Sequence, residues 1–127
     1  MTRKAFTSPK LPAPAGPFSQ AIDGGAYLFL SGQVGQDPAT GKLVPGGVAA
    51  EAEQTLDNIT TVLAAAGKTL DDVVRAGVFL ADMSDFAVMN AVYEKRFATP
   101  YPARTCVQAA ALPLGARVEI DAVAMRR

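Results

Sequence analysis

Three side chains in the last quarter of the chain have the types and spacing that could do chemistry. Arg104 and Cys106 stand at the start of a run of small and apolar residues, and Glu119 follows fifteen positions after Arg104. A planar guanidinium can hold a carboxylate through two parallel hydrogen bonds. A glutamate in a dry cleft can act as a general base near neutral pH. Arg104 and Glu119 are therefore candidates for carboxylate binding and proton transfer, although a structural ion pair is the commoner role of such residues.

The absence of histidine and the single cysteine restrict the chemistry open to the chain. Serine–histidine and cysteine–histidine catalysis within one chain are excluded, and zinc or other transition-metal sites are not expected. Proton transfer must fall to Glu, Asp, Lys, Tyr, Cys or water. With no histidine to activate it, Cys106 is expected to be an inert residue of a strand, whose backbone could still line a pocket.

The composition is that of a globular protein with its own core. Of the 127 residues, 50% are hydrophobic and 19% are charged, which suits one domain spanning residues 1–127. Lysine plus arginine balances aspartate plus glutamate at 12 each, which argues against a nucleic-acid-binding surface. No apolar run approaches the roughly 20 residues of a membrane helix. No secretory signal is expected, and the single cysteine fits a reducing compartment, so we expect a cytoplasmic location.

Runs of aromatic and β-branched residues predict the strands that must position these groups. The first lies within residues 27–35 and is expected to end near Ser31 and Gly32. The glycine there would allow a ligand to approach the backbone closely, but a plain turn is the simpler interpretation. Further strands are predicted at residues 73–80, 103–109 and 116–125.

Apolar residues at steps of three and four predict two helices. The first runs from Val48 to Ala66, with Gly67 at the position of a C-cap. The second is expected to be capped by Ser84 or Asp85 and to end before Pro100. Its predicted buried stripe consists of Phe86, Met89, Tyr93 and Phe97.

The order of strands, helix, strand, helix and strands predicts an α/β sandwich of two layers, with two helices on one face of a sheet. If the last two strands pair as antiparallel neighbours, Arg104 and Glu119 could lie near each other. Several strands are apolar at both parities, and two helices cannot cover both faces of the sheet. We therefore expect other subunits to bury the second face. Phe18, after a proline-rich loop (8–17), is expected to anchor either the core or such an interface.

Four stretches of the sequence together resemble the Rid family of reactive intermediate deaminases, also called the RidA/YjgF family. They are APAGPFSQAI (13–22), FLSGQVGQDPATGKLV (29–44), LDNITTVLAAAGKTLDDVVRAGVFLADMSDFAVMNAVYEKRF (56–97) and PARTCVQAAALPLGARVEIDAVAMRR (102–127). The resemblance covers essentially the whole chain, and the last stretch looks like the family's signature.

This resemblance implies a chorismate-mutase-like (YjgF-like) fold and a barrel-like homotrimer with sites in clefts between subunits. It implies hydrolysis of reactive 2-imino acids and their enamines to 2-keto acids and ammonia, with 2-iminobutanoate, 2-iminopropanoate and 2-aminoacrylate as the types of substrate. Pyridoxal-phosphate enzymes would release these imines. The resemblance implies no metal or cofactor, and a small 2-imino or 2-keto acid as the ligand.

The resemblance also assigns roles to individual residues. Arg104 matches the arginine that grips the substrate carboxylate, and Glu119 matches the glutamate that positions or activates the attacking water. Cys106 matches a position whose backbone contacts the ligand, and Ser31 and Gly32 match the loop that closes the pocket.

Two further positions complete the implied site. Asn90 matches a helix asparagine that supports the pocket from behind. Phe18 lies where the family usually has tyrosine, so this chain lacks one hydroxyl there. Two other functions stay open: a trimer that binds 2-keto acids without turnover, and an endoribonuclease or chaperone-like role, against which the balanced charge and the absence of histidine weigh.

Overall fold

The computed structural model describes residues 3–126, so residues 1, 2 and 127 of the predicted domain lie outside the described residues. Its strands and helices are β1 (Lys4–Phe6), β2 (Ala21–Asp23), β3 (Tyr27–Val34), α1 (Gly47–Ala65), β4 (Val73–Leu80), α2 (Phe86–Arg96), β5 (Ala103–Gln108) and β6 (Val118–Met125). Short 3₁₀ turns precede β4, α2 and β6. None of the helices in the described part of the chain is long and apolar enough to cross a membrane.

The strands form one mixed sheet in the order β1-β2-β3-β6-β4-β5. β4 and β5 are parallel, and the other neighbouring strands are antiparallel. The parallel pair needs a crossover, which α2 supplies. β4 lies between β5 and β6, so the last two strands are not neighbours and the condition under which Arg104 and Glu119 would lie close together is not met.

Both helices pack on one face of the sheet, which confirms the predicted two-layer architecture. Leu56, Ile59 and Leu63 of α1 are fully buried, and each such side chain contributes about 1.5–3 kcal/mol by leaving water. α1 ends at Ala65, and Gly67 follows with a positive φ of 71°. Glycine adopts that conformation without steric cost, so the predicted stop is confirmed.

The start of α2 differs from the prediction. Asp85 occupies the N-cap position but its side chain makes no capping hydrogen bond. The capping carboxylate is that of Asp82, which accepts the Ser84 N–H and caps the preceding 3₁₀ turn. Met89, Tyr93 and Phe97 are buried as predicted, whereas Phe86 is 39% exposed, because the first residue of the helix lies beyond the main core.

The second face of the sheet carries large apolar side chains that the chain itself does not cover. Tyr27 and Phe29 on β3, Val107 on β5 and Met125 on β6 are each between 40% and 49% exposed. Large apolar patches on a protein surface usually mark sites of interaction. The prediction of an apolar second face is confirmed, and its burial by other subunits stays a prediction.

Candidate active site

A cavity of about 520 Å³ opens beside Glu119, between the proline-rich loop and the 3₁₀ turn before β6. Glu119 lies on β6 between Val118 and Ile120, which point into the core. Its own side chain therefore belongs to the face that the helices leave open. The cavity is lined by Leu11, Pro12, Ala13, Pro14, Ala15, Phe18, Gln20, Ser31, Gly32, Gln33, Val34, Gln36, Asn58, Pro113, Leu114 and Glu119.

The electrostatics of this cavity favour proton transfer by Glu119. Burial raises the pKa of the Glu119 carboxyl above its ordinary value, and the neighbouring charge of Asp121 raises it further. Asp121 lies on the same face of β6 and accepts the Gly77 N–H at 2.9 Å. A carboxylate with a raised pKa in a cleft has the property that a general base needs.

A β-bulge places the Glu119 carboxyl against the backbone of β3. Between Leu30 and Gln33 the register with β6 slips by one residue, and Ser31 and Gly32 occupy the bulge. β3 continues to Val34, so the prediction that it ends near Ser31 and Gly32 is wrong. The extra residue of a bulge re-aims the side chains around it, which explains how a strand interior comes to line a cavity.

Arg104 lies on β5 and faces α2. Its Nη1 donates a hydrogen bond to Oδ1 of Asn90 at 2.8 Å, and its Cζ lies 4.8 Å from the centroid of the Tyr93 ring and 5.6 Å from that of Phe86. A second cavity of about 360 Å³ opens here, lined also by Glu94, Tyr101 and Pro102. Within residues 3–126, no carboxylate forms a salt bridge with this guanidinium. Most of its N–H donors are thus available to an anionic ligand.

Arg104 and Glu119 lie on opposite faces of the sheet in one chain. Arg104 is in register with the buried Ala76 of β4, on the face that the helices cover. Glu119 is in register with Phe79, on the other face. The sequence-based pairing of these two residues within one chain is therefore wrong, because β4 separates their strands and because their side chains alternate to different faces. Each chain carries two separate halves of the predicted site.

Known proteins resemble this chain over nearly its whole length. The protein family described as Endoribonuclease L-PSP matches residues 8–126. A 2-iminobutanoate/2-iminopropanoate deaminase of Bos taurus is 50% identical over 126 residues, covering 99% of this chain and 92% of the relative. The protein of that name in Escherichia coli strain K12 is 42% identical and covers 98% of each chain.

The chain belongs to the Rid family. The crystal structure of the yeast protein YEO7 matches this Rid chain with a TM-score of 0.94 and 44% identity, covering 99% of this chain and 100% of the yeast chain. The crystal structure of E. coli TdcF with bound serine matches with a TM-score of 0.89 and 38% identity, over 98% of this chain and 99% of that chain. The fold predicted from the family resemblance is thereby confirmed.

In this Rid chain the hydroxyl of Ser31 is hydrogen-bonded to the loop that carries Phe18. Its Oγ donates to the Ser19 carbonyl at 2.6 Å, and its backbone N–H donates to the Gln20 carbonyl at 3.0 Å. Phe18 lines the Glu119 cavity and is 53% exposed. Phe18 is not a core residue, so that expectation is wrong. Its contact with a ligand or with another subunit stays a prediction.

Cys106 shares the face of Arg104 and packs partly against the core. Burial raises the pKa of its thiol, and the nearby Arg104 charge offsets only part of this effect. A thiol with a raised pKa is a poor nucleophile at neutral pH. The geometry thus fits the expected inert side chain, and the backbone contact of Cys106 with a ligand stays a prediction.

The sequence analysis gave no role in a site to three polar residues that line the cavities. Buried Gln20 accepts the Ser8 N–H at 2.7 Å and holds the proline-rich loop. Buried Asn58 donates from Nδ2 to the Val34 and Gln36 carbonyls at 3.1 and 2.9 Å, joining α1 to the end of β3. The available signal for Asn58 was its position one turn before Val62, on the apolar side of the predicted helix. Tyr93 was assigned only to the core, although it lies beneath Arg104.

Within the described range, 3–126, no three His, Cys, Asp or Glu side chains cluster closely enough to hold a metal ion.

Proposed function

We propose that this protein is a deaminase that hydrolyses 2-imino acids and their enamine tautomers to 2-keto acids and ammonia. The substrates are of the 2-iminobutanoate, 2-iminopropanoate and 2-aminoacrylate type. The observation that carries the proposal is the pair of complementary half-sites. A guanidinium with available donors suits the substrate carboxylate, and a glutamate with a raised pKa suits proton transfer from water. The names of the relatives from Bos taurus and E. coli support the same reaction.

The proposal includes a homotrimer in which each active site lies between two subunits. Arg104 of one subunit would face the Glu119 cavity of its neighbour, since one chain presents these groups on opposite faces. The exposed apolar side chains of the second sheet face suit burial in such an assembly. The assembly would thus complete the site and cover the uncovered face at the same time.

In the proposed mechanism Arg104 binds the substrate carboxylate and orients the C=N carbon towards the Glu119 cavity. Glu119 accepts a proton from water while the water oxygen forms a bond to that carbon, and the imine nitrogen takes up a proton from solvent. Glu119 then returns its proton to the nitrogen of the resulting carbinolamine, and the hydroxyl proton passes to solvent. The C–N bond then breaks, releasing ammonia and the 2-keto acid. An enamine substrate first tautomerises to the imine by gaining a proton on carbon and losing one from nitrogen.

Phe18, Ser31, Gly32 and the backbone of Cys106 line the proposed substrate site, and Asn90 holds Arg104 from behind. Positioning and modest acid–base catalysis suffice, because such imines already hydrolyse readily in water. The reaction needs no cofactor. We also propose a cytoplasmic location, where pyridoxal-phosphate enzymes release the imines and where the deaminase would limit damage to them.

A coupled assay tests the reaction. A threonine dehydratase generates 2-iminobutanoate, and the rate of 2-oxobutanoate formation is followed with and without this protein. We expect acceleration by the wild type and about a hundredfold less by Arg104→Ala, since that change removes the carboxylate anchor. Arg96→Ala is the matched control, because Arg96 only joins the two helices through Glu53 and Asp57. Wild-type acceleration by Arg104→Ala would refute the assignment, and 2-oxobutanoate binding without any acceleration would favour a regulatory protein.

A second candidate function is RNA cleavage, which the description Endoribonuclease L-PSP brings into consideration. The equal numbers of acidic and basic residues and the absence of histidine weigh against it. RNA binding measured between 50 and 200 mM salt decides the matter, because specific phosphate contacts would give a steep salt dependence. We expect no such dependence.

A further inference from the structure

Tyr93 is a buried aromatic residue of α2 to which the proposed chemistry gives no role. The residue is 5% exposed, and its ring centroid lies 4.8 Å from Cζ of Arg104. Phe97, one turn further along the helix, packs against the same ring at a centroid distance of 4.4 Å. The core therefore holds the ring in place directly under a guanidinium.

The contact between Tyr93 and Arg104 is made by the ring rather than by the hydroxyl. Among residues 3–126 the Tyr93 hydroxyl is buried and has no hydrogen-bond partner. Burial raises the pKa of this phenol, and the Arg104 charge only partly opposes the shift, so the side chain is neutral at physiological pH. What a neutral tyrosine offers to a cation is the negative face of its aromatic ring.

A carboxylate anchor needs a guanidinium held in one orientation. Asn90 accepts a hydrogen bond from Nη1 of Arg104 at 2.8 Å, which restrains one end of a long and flexible side chain. The ring of Tyr93 restrains it from below, while the half-exposed Phe86 lies further away at 5.6 Å. Preorganisation of this kind lowers the cost of binding, because less side-chain freedom is lost when the ligand arrives.

We infer that Tyr93 is a positioning residue of the carboxylate site, and that its buried ring holds Arg104 in the orientation that receives the substrate. This inference rests on the proposed role of Arg104. Tyr93 acts through Arg104, so its loss should weaken the binding of carboxylate ligands and leave the proton-transfer step at Glu119 largely unchanged.

Three variants separate the ring, the hydroxyl and the packing. Tyr93→Leu removes the ring, and Tyr93→Phe restores a ring without the hydroxyl. Phe97→Leu is a matched control, which removes a similarly buried ring that does not lie against the Arg104 guanidinium as Tyr93 and Phe86 do. KM and kcat are measured in the coupled dehydratase assay. Binding of 2-oxobutanoate is measured by calorimetry, and Tm is recorded for each variant.

For Tyr93→Leu we expect a KM about 3- to 30-fold higher, a similar weakening of 2-oxobutanoate binding and a kcat within about twofold of wild type. Tyr93→Phe should bring KM back to within about twofold of wild type. Phe97→Leu should lower Tm about as much as Tyr93→Leu but raise KM much less, because the Tyr93 ring remains beneath Arg104 after losing one neighbour.

Two results would overturn the inference and can be told apart. If Tyr93→Leu keeps the wild-type KM and 2-oxobutanoate affinity while Arg104→Ala abolishes activity, Tyr93 has no positioning role and the proposed function stands. If Phe97→Leu raises KM as much as Tyr93→Leu does, the effect is one of packing alone. Full activity of Arg104→Ala would instead refute the proposed function itself.

Discussion

The carboxyl group of Glu119 occupies the space in which a side chain on Gly32 would begin. A Cβ atom built on Gly32 would lie 2.5 Å from Oε2 of Glu119 and 2.9 Å from its Cδ. Real atoms do not approach so closely, so any other residue at position 32 would have to displace the carboxyl. Gly32 is therefore required by the position of Glu119 and not by an unusual φ of its own.

Gly32→Ala should consequently reduce activity more than stability. The contacts are with the far end of a flexible side chain, which can move aside at little cost to folding, whereas a shift of about 1 Å in a catalytic group can cost about a hundredfold in rate. We expect kcat to fall about 10- to 100-fold with little change in Tm. Gly47→Ala is the contrasting control, since φ is +84° there and no atom lies nearby. It should lose stability and keep kcat, and an unchanged kcat in Gly32→Ala would contradict the placement of Glu119.

Because the pKa of Glu119 is raised, replacing this residue by glutamine is expected to lower activity and to raise stability. The folded chain favours the protonated carboxyl, so Glu119 contributes stability at low pH that is lost as the pH rises through its raised pKa. Glu119→Gln avoids this loss and should unfold at a higher temperature than wild type at pH 7–8. The same variant should lose most deaminase activity. Thermal melts and coupled assays at pH 5 and pH 8 test both expectations, and an unchanged rate would remove Glu119 from the mechanism.

Asp121 should set the pH at which activity falls on the acid side. Its charge is the second cause of the raised pKa of Glu119, and its carboxyl also accepts the Gly77 N–H. Asp121→Asn keeps an oxygen acceptor but removes the charge, so the pKa of Glu119 should fall. The acid limb of the kcat/KM profile should then move to lower pH. A limb that stays in place would mean that another group controls it.

Asn90→Asp should compete with the substrate for Arg104. The oxygen of Asn90 lies 2.8 Å from Nη1 of Arg104, so a carboxylate there would form an ion pair with the guanidinium that an anionic ligand needs. We expect at least a tenfold increase in KM and in the 2-oxobutanoate dissociation constant. Asn90→Ala should raise both values less, because it only releases Arg104. An equal effect of the two variants would argue against competition.

Mixed assemblies test whether the site lies between subunits. Arg104→Ala and Glu119→Gln chains are each expected to be inactive alone. When the two are co-expressed in equal amounts, a site formed by two neighbours is intact if one chain retains its arginine and the other its glutamate. Each condition is met half of the time, so about one quarter of wild-type activity should return. No recovery in mixed assemblies would mean that Arg104 of one chain and Glu119 of its neighbour do not form one site.

Local sequence patterns predicted the elements of this fold better than their arrangement. β4 and α1 were predicted to within one or two residues, because an apolar run and a helical period are properties of consecutive residues. β1 and β2 have three residues each and are too short to show a period. The place of β4 between β5 and β6 depends on contacts distant in sequence, which no local pattern records.

The same distinction applies to the site. Arg104 and Glu119 were chosen for their chemistry and the family resemblance, and both line cavities. Their placement on different faces depends on the register of β5 and β6 with β4 and was missed. The bulge at Ser31 and Gly32 was also missed, since one extra residue in a strand leaves the composition unchanged. Tyr93 was missed because a buried aromatic residue in a helix stripe gives no sign of the cation that lies above it.

The separation of Arg104 and Glu119 within one chain has a consequence for how activity depends on concentration. If neither half-site works alone, a newly made or dissociated chain has no activity. Deaminase activity then appears only when the chains assemble. Specific activity per chain should then decrease on dilution below the dissociation constant of the proposed trimer. Apolar side chains such as Phe29 would be exposed over the same range of concentration. The inactive, dissociated chains would therefore also be the ones most prone to aggregate.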